Sequence, residues 1–225
     1  MQLYGLIFDV DGLIANTEPL NAKVTIRVFE DLFGVRGVRP EDFAAGIGRG
    51  AEAFVLAAAV VHGVSLTDDQ VIAGANLRER YLIKALREEG VPPFPGVLEL
   101  IEAALRSPGF VLAIATSASA DLARAMLEST RVPYHRMICV DGGQVKRKKP
   151  DPEIFLTASR KMGIPPARCV VFEDAPSGVQ AAKAASARCV AVTNTVRAEE
   201  LVGADLICDS LEKVDIEVIR QLVDG

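Results

Sequence analysis

The sequence predicts an α/β protein: a doubly wound, Rossmann-like parallel sheet with a small all-helical domain inserted near its start. From about residue 92 onward, short apolar segments alternate with helical patterns, which is typical of βαβ units and a parallel sheet. Between residues 17 and 91 there are amphipathic helical patterns and no convincing strand. The sheet would therefore belong to a core domain of residues 1–16 and 92–225, and the helical domain would cover residues 17–91.

Six apolar segments are predicted to form the strands. The first is the run 3–8, which the helical insert follows, and the others cover residues 111–115, 136–140, 169–172, 189–193 and 205–208. Helices are predicted between and after them, at 96–105, 120–128, 152–162, 178–185 and 214–222. Every crossover is long enough for a right-handed parallel connection.

The insert is predicted to contain at least two helices. Residues 19–33 repeat apolar side chains at helical spacing and stop at Gly34. A second helix begins after Thr67, with acidic residues in its first turn, and runs to Gly90. The exit, residues 91–96, is stiffened by three prolines. This arrangement predicts a lid on two hinges; a plain helical extension packed on the sheet is the alternative.

Composition excludes several classes of protein. Half of the 225 residues are apolar, which disfavours disorder. A net charge of -5 and a pI near 5.2 disfavour a nucleic-acid partner, because such binding relies on many Lys and Arg contacts to phosphates. The one basic run, residues 146–149, is short and is more typical of a solvated loop.

Cysteine spacing and hydropathy predict the compartment. The four cysteines lack a Cys-x-x-Cys pair and fall in short apolar segments, which predicts buried thiols in core strands and a reducing environment. Asp9 and Asp11 interrupt the first apolar run, and the run 54–61 is too short to span a bilayer. We therefore expect a soluble, cytoplasmic protein with no membrane partner. The oligomeric state stays open, and a monomer is compatible with the sequence.

The most informative motif is Asp9-Val10-Asp11-Gly12, directly after the first predicted strand. The carboxyl ends of strands in an open α/β sheet are where ligands bind. Two carboxylates there are suited to a cation and a phosphate. Taken alone, Asp-Gly after an apolar run is also a common turn signal.

Three further features follow in the same chain. Thr116 and Ser117 follow the strand 111–115, Lys149-Pro150 precedes a helical pattern, and Glu173-Asp174 follows the strand 169–172. Each has a structural alternative: helix capping for the hydroxyls and acids, and a surface cation for Lys149. If each residue had only its structural role, the order of acid pair, hydroxyl, lysine and acid pair would require four independent coincidences. The four motifs together therefore indicate one functional site.

These four motifs resemble those of the haloacid dehalogenase superfamily, and the helical insert resembles the smaller type of cap domain in that family. The resemblance covers nearly the whole chain, and its nearest subgroup is beta-phosphoglucomutase and its phosphatase relatives. It implies a Mg²⁺-dependent phosphatase that hydrolyses a small phosphate monoester through an aspartyl phosphate on Asp9. The expected substrate is a sugar phosphate. The acid at Asp11 disfavours dehalogenation and phosphonate cleavage, since neither branch has a carboxylate there.

The resemblance also implies roles for the site residues. Asp9 is the expected nucleophile and Asp11 the general acid and base, while Thr116, Ser117 and Lys149 bind the phosphoryl oxygens. The expected Mg²⁺ ligands are the carboxylates of Asp9 and Asp174, with Glu173 as a further candidate, and the backbone carbonyl of Asp11.

Two cap residues are expected to contact substrate. Arg49, in a glycine-rich segment that resembles the specificity loop of the family, could clamp a phosphate. Asn21 stands where the mutase has a histidine, and this departure favours hydrolysis over sugar-phosphate isomerisation. A beta-phosphoglucomutase-type mutase is the alternative enzyme; a phosphoacceptor receiver or a binding-only domain is the non-enzyme alternative.

Overall fold

The protein is described by a computed structural model covering residues 3–46 and 50–225. The chain divides into two compact units. The first comprises the chain up to Asn16 together with Val91–Gly225, and the second comprises Thr17–Gly90. None of the helices in these described residues is long and apolar enough to cross a membrane.

The first unit contains one sheet of six parallel strands, which confirms the predicted fold class. The order across the sheet is β3-β2-β1-β4-β5-β6. The strands are β1 (Tyr4–Phe8), β2 (Phe110–Ala115), β3 (Ile138–Val140), β4 (Cys169–Glu173), β5 (Arg188–Val192) and β6 (Leu206–Cys208). The two predicted edge strands are shorter than expected, because only three residues of each form ladder hydrogen bonds with a neighbour.

The second unit is helical. It contains α1 (Glu18–Phe33), a short 3₁₀ segment (Pro40–Gly46), α2 (Ala51–Val61) and α3 (Asp68–Glu89). The helix α3 begins with a capping box, since the Thr67 hydroxyl accepts from the Gln70 N–H and the Gln70 side chain accepts from the Thr67 N–H. Helix α2 could not be predicted from periodicity, because its residues are apolar on nearly every face and show no helical period.

The helices of the first unit are α4 (Val97–Arg106), α5 (Ala120–Thr130), α6 (Glu153–Met162), α7 (Pro176–Ala184) and α8 (Ile216–Asp224). Each begins and ends within two residues of its predicted position. One core cluster joins buried side chains of the strands, such as Ile7 and Val171, to those of α6 and α7, such as Phe155 and Val179. This packing holds the carboxyl ends of the central strands in place.

The strand order reverses between β1 and β4, because β2 and β3 lie on one side of this pair and β5 and β6 on the other. Such a switch point is where open α/β sheets bind ligands. Phe8 and Phe172 are paired in register at the ends of these two strands, and their rings stack with centroids 4.5 Å apart. Asp9 and Glu173 follow directly, so both acids emerge at the switch point.

The prediction that all four cysteines are buried was wrong for two of them. Cys169 and Cys189, on β4 and β5, are buried, whereas Cys139 is exposed and Cys208 is partly buried. The reason is their position in the sheet: β3 and β6 are the edge strands, so a neighbouring strand covers each on one side only.

Candidate active site

Three buried carboxylates lie together at the switch point. Asp9 follows β1, while Glu173 and Asp174 stand at the end of β4; one oxygen of each lies within 4.8 Å of the others. The Asp9 N–H still donates to the Phe172 carbonyl, at 3.1 Å, so the ladder between the two strands extends to the acids. One acid of the first sequence pair and both acids of the second thus form one centre in space.

Lys149 supplies the positive charge of this centre. Its ammonium donates to Asp9 Oδ1 and to Glu173 Oε1, both at 2.5 Å, and the side chain is only 8% exposed. The loop that carries it is pinned by Glu153, whose carboxylate accepts from the backbone N–H groups of Lys146 and Arg147 at 3.0 and 3.1 Å. Lys149 is therefore held by the fold, and it neutralises part of the charge of two carboxylates.

Glu173 is fully engaged by protein groups. Oε1 accepts from Lys149, and Oε2 accepts from the N–H groups of Asp174 and Ala175 at 2.9 and 3.1 Å. Gly178 makes room for it, because a Cβ there would lie 1.9 Å from the Glu173 carboxyl carbon. Glu173 thus anchors Lys149 and the residues before α7, which favours Asp9 and Asp174 over Glu173 as direct ligands of a cation.

Asp174 retains an oxygen without a partner. Oδ2 accepts from the Thr195 hydroxyl, while Oδ1 is buried and has no hydrogen-bond partner among residues 3–46 and 50–225. A buried carboxylate oxygen without a partner costs free energy. Hard oxygen atoms of Asp9 and Asp174, converging in a buried cluster, fit a small divalent cation such as Mg²⁺.

The pKa shifts of the clustered residues are consistent with a cation site formed by Asp9 and Asp174. The pKa of Asp9 is raised to about 7, chiefly by burial; the charge of Lys149 opposes this rise and that of Glu173 adds to it. Burial also raises the pKa of Asp174 well above its usual value, as do the charges of Glu173 and Asp9. For Lys149, burial lowers the pKa, but the carboxylates of Asp9 and Glu173 outweigh this effect and the pKa is raised. Closely packed acids of this kind are ionised together when a cation joins them.

Thr116 lies at the end of β2, the other neighbour of β1, and is buried. Its hydroxyl accepts from the Ala118 N–H at 3.2 Å, so it shapes the loop after the strand. The cap of α5 is Ser119, whose hydroxyl accepts from the Leu122 N–H at 3.2 Å. Ser117 lies between them and is partly buried. A phosphate-binding role for Thr116 and Ser117 stays a prediction.

In the loop after Asp9, the backbone of Gly12 packs against the Asp174 side chain. Gly12 has φ +82°, and a Cβ there would lie 2.0 Å from Asp174 Oδ2 and 2.7 Å from the Thr195 hydroxyl oxygen. The Gly12 carbonyl accepts from the Asn194 amide at 2.9 Å. Asp11 is exposed, and its carboxylate is not one of the three clustered acids. An exposed carboxylate can exchange protons with water, as a general acid and base must.

Sequence reasoning missed Asn194 and Thr195. Both follow β5, the strand next to β4, at the same edge of the sheet as the predicted motifs. The signal was present, because polar residues after an apolar strand are the pattern that identified the other motifs. However, the residues that follow the predicted strand 189–193 are equally typical of a turn, so this pattern alone does not identify Asn194 and Thr195 as site residues.

Of the two residues predicted to contact substrate from the helical unit, Asn21 lies within the described part of the chain, and its substrate contact stays a prediction. Asn21, on α1, is buried in the second unit; its side chain accepts from Arg78 at 2.6 Å and donates to the Thr17 hydroxyl at 3.0 Å. Arg78 also donates to Thr25 at 3.0 Å, which makes a buried polar network. Arg49 lies outside the described residues, so its predicted phosphate contact stays a prediction.

Comparison with known proteins identifies the family. The sequence profile of the haloacid dehalogenase-like hydrolases matches residues 6–192. The chain belongs to the haloacid dehalogenase-like hydrolase family. Within this family, it is 32% identical over 216 residues to hexitol phosphatase A of Escherichia coli (strain K12), covering 96% of this chain and 95% of that protein. The predicted resemblance and the prediction of a phosphoric monoester hydrolase are therefore confirmed.

A second relative is much longer than this chain. The chain is 35% identical over 221 residues to protein SUPPRESSOR OF QUENCHING 1, chloroplastic, of Arabidopsis thaliana. The match covers 95% of this chain but spans only 20% of the length of that protein. A region similar to this chain thus makes up nearly all of hexitol phosphatase A but only a small part of the Arabidopsis protein.

Two solved structures share the fold. CbbY from Rhodobacter sphaeroides in complex with xylulose-(1,5)bisphosphate has a TM-score of 0.82 and 26% identity, over 97% of this chain and 99% of that chain. A beta-phosphoglucomutase from Clostridium difficile has a TM-score of 0.80 and 20% identity, over 99% of this chain and 98% of that chain. At this lower identity, the second likeness shows the fold alone.

We predict that Gly12→Ala destabilises the protein by about 3 kcal/mol, since a new methyl group would meet Asp174 and Thr195 in a backbone conformation that favours glycine. The measurement is urea unfolding followed by circular dichroism. Gly163→Ala is the matched control, because Gly163 also has positive φ but has no atom within 4 Å of its added Cβ. Equal losses in both variants would contradict the close approach at Gly12.

Proposed function

We propose that this hydrolase is a Mg²⁺-dependent phosphatase that hydrolyses a small sugar phosphate or sugar-alcohol phosphate through an aspartyl-phosphate intermediate. One observation carries the proposal: Asp174, whose buried Oδ1 has no hydrogen-bond partner among the described residues, lies in a cluster with Asp9, and Asp9 accepts from the ammonium of Lys149. The cluster offers a nucleophilic carboxylate, ligands for a cation and a fixed positive charge. These are the groups that phosphoryl transfer from a monoester needs.

In the proposed reaction, a carboxylate oxygen of Asp9 attacks phosphorus. The O–P bond to Asp9 forms as the bond to the ester oxygen breaks, and Asp11 gives its proton to the departing alkoxide. Asp11 then takes a proton from water, whose oxygen attacks the phosphorus. The bond to Asp9 breaks, inorganic phosphate leaves, and both carboxyl groups return to their starting states.

Mg²⁺ would be held by the carboxylates of Asp9 and Asp174, with the backbone carbonyl of Asp11 as the third proposed protein ligand. When bound, it would supply positive charge that lets the phosphate approach the acidic cluster. Lys149 contributes a second positive charge, already placed at 2.5 Å from Asp9. Thr116 and Ser117 are proposed to donate hydrogen bonds to phosphoryl oxygens.

The substrate class is supported by the relatives. Hexitol phosphatase A acts, by its name, on hexitol phosphates, and the CbbY structure holds a pentulose bisphosphate. In our proposal, the second unit serves as the cap that selects the organic part of the substrate, with Asn21 and Arg49 as contacts. A location in the cytoplasm stays a prediction, and one relative is described as chloroplastic.

We predict that Asp9→Asn lowers kcat by about 10³-fold or more, because an amide of the same volume is a poor nucleophile and a poor cation ligand. The measurement is phosphate release from a panel of sugar phosphates, with circular dichroism to confirm folding. Asp209→Asn is the control, because Asp209 is an exposed carboxylate paired with Lys213 and should leave kcat unchanged. Near-normal turnover by the Asp9 variant would refute the nucleophile.

We also predict that activity is lost in excess EDTA and restored by Mg²⁺, since Asp9, Asp174 and a substrate phosphate repel one another without a cation. Ca²⁺ should inhibit, because its larger and more flexible coordination shell would draw the Asp9 carboxylate away from phosphorus. The assay is phosphate release after metal removal and stepwise addition of each ion. Full activity in EDTA would rule out the proposed metal site.

Product analysis separates the phosphatase from the mutase alternative. A mutase must preserve its aspartyl phosphate until a second sugar phosphate is in place, whereas a phosphatase does not. With Asn21 in place of the mutase histidine, we predict that beta-glucose 1-phosphate, with a catalytic amount of the 1,6-bisphosphate, yields inorganic phosphate faster than glucose 6-phosphate. Faster accumulation of glucose 6-phosphate would establish the mutase instead.

A further inference from the structure

The Thr195 side chain is positioned to control how Asp174 binds a cation. Thr195 follows β5, and its hydroxyl donates to Asp174 Oδ2. The neighbouring Asn194 amide donates to the Gly12 carbonyl at 2.9 Å. The same loop therefore contacts the proposed ligand Asp174 and the turn that follows the nucleophile.

The two oxygens of Asp174 consequently have different surroundings. Oδ2 is occupied by the Thr195 hydroxyl, and the Gly12 backbone packs so close that even a Cβ there would come within 2.0 Å of it. Oδ1 is buried and without a partner among the residues that the structure describes. Only Oδ1 is available to a cation, and rotation of the carboxylate is opposed on the side of Oδ2.

We propose that Thr195 is a positioning residue that restricts Asp174 to monodentate ligation through Oδ1 and so makes the site selective for Mg²⁺ over Ca²⁺. Ca²⁺ takes six to eight oxygen ligands and accepts bidentate carboxylates, whereas Mg²⁺ requires near-octahedral geometry with shorter bonds. A carboxylate that can offer one oxygen only suits the smaller ion. This inference rests on the metal site of the proposed function.

The test is calorimetric titration of the full chain with Mg²⁺ and with Ca²⁺, in the absence of substrate, for the wild type and Thr195→Val. Valine has nearly the shape of threonine but no hydroxyl, so Oδ2 would become available to the ion. We expect the preference for Mg²⁺, measured as the ratio of the Ca²⁺ Kd to the Mg²⁺ Kd, to fall by about tenfold. Thr195→Ser, which keeps the hydroxyl, should retain the wild-type ratio.

Thr193→Val is the matched control. Thr193 lies two residues earlier in the same segment, and its side chain makes no hydrogen bond to the acidic cluster within the described part of the chain. The ratio of the Ca²⁺ Kd to the Mg²⁺ Kd for Thr193→Val should equal that of the wild type. Circular dichroism checks folding, and Thr195→Ala replaces Thr195→Val if the valine variant does not fold.

The outcomes are distinct. A wild type that binds no Mg²⁺ would refute the metal site of the proposed function, and the inference with it. If the wild type binds Mg²⁺ but the variant without the hydroxyl keeps the same ratio, the inference alone is wrong. Equal weakening of both ions would also overturn it, because the hydroxyl would then support affinity without selectivity.

Discussion

The site depends on one buried ammonium group. Lys149 lies between Asp9 and Glu173, which are 140 and 24 residues away in the chain, and it bonds to both at 2.5 Å. Removing one member of a buried charge pair typically costs about 3–5 kcal/mol, because the remaining charge has no compensation. The ends of β1 and β4 and the loop before α6 are therefore tied together by the same group that would stabilise a substrate phosphate.

Close packing around Glu173 and Asp174 gives the two carboxylates different hydrogen-bond partners. Gly178 leaves room for Glu173 to turn toward Lys149 and the backbone N–H groups before α7, and Gly12 leaves room for Asp174 beside Thr195. Both oxygens of Glu173 consequently accept hydrogen bonds from the protein, while Asp174 Oδ1 has no hydrogen-bond partner within residues 3–46 and 50–225. Glu173 and Asp174 thus differ in the oxygens that they leave available because their hydrogen-bond partners differ.

The helical unit has its own basis for stability. Its core contains Phe29, Phe43 and Phe54, and a buried network joins Asn21, Thr25 and Arg78. Arg78 also lies over the Phe54 ring, 4.7 Å from its centroid. Because Asn21 accepts a hydrogen bond from the Arg78 guanidinium and donates one to the Thr17 hydroxyl, the orientation of its amide is determined.

The sequence by itself determined the fold class and the position of the helical insert, because both depend on local hydrophobic periodicity. It also determined the grouping of Asp9, Lys149, Glu173 and Asp174, because the carboxyl ends of parallel strands lie at one edge of the sheet. Only the tertiary structure decided that Asp174 Oδ1 has no hydrogen-bond partner among the described residues, that Thr195 contacts Asp174, and that Cys139 is exposed. These depend on contacts between segments distant in the chain and on which strands lie at the edges of the sheet, and local patterns do not contain that information.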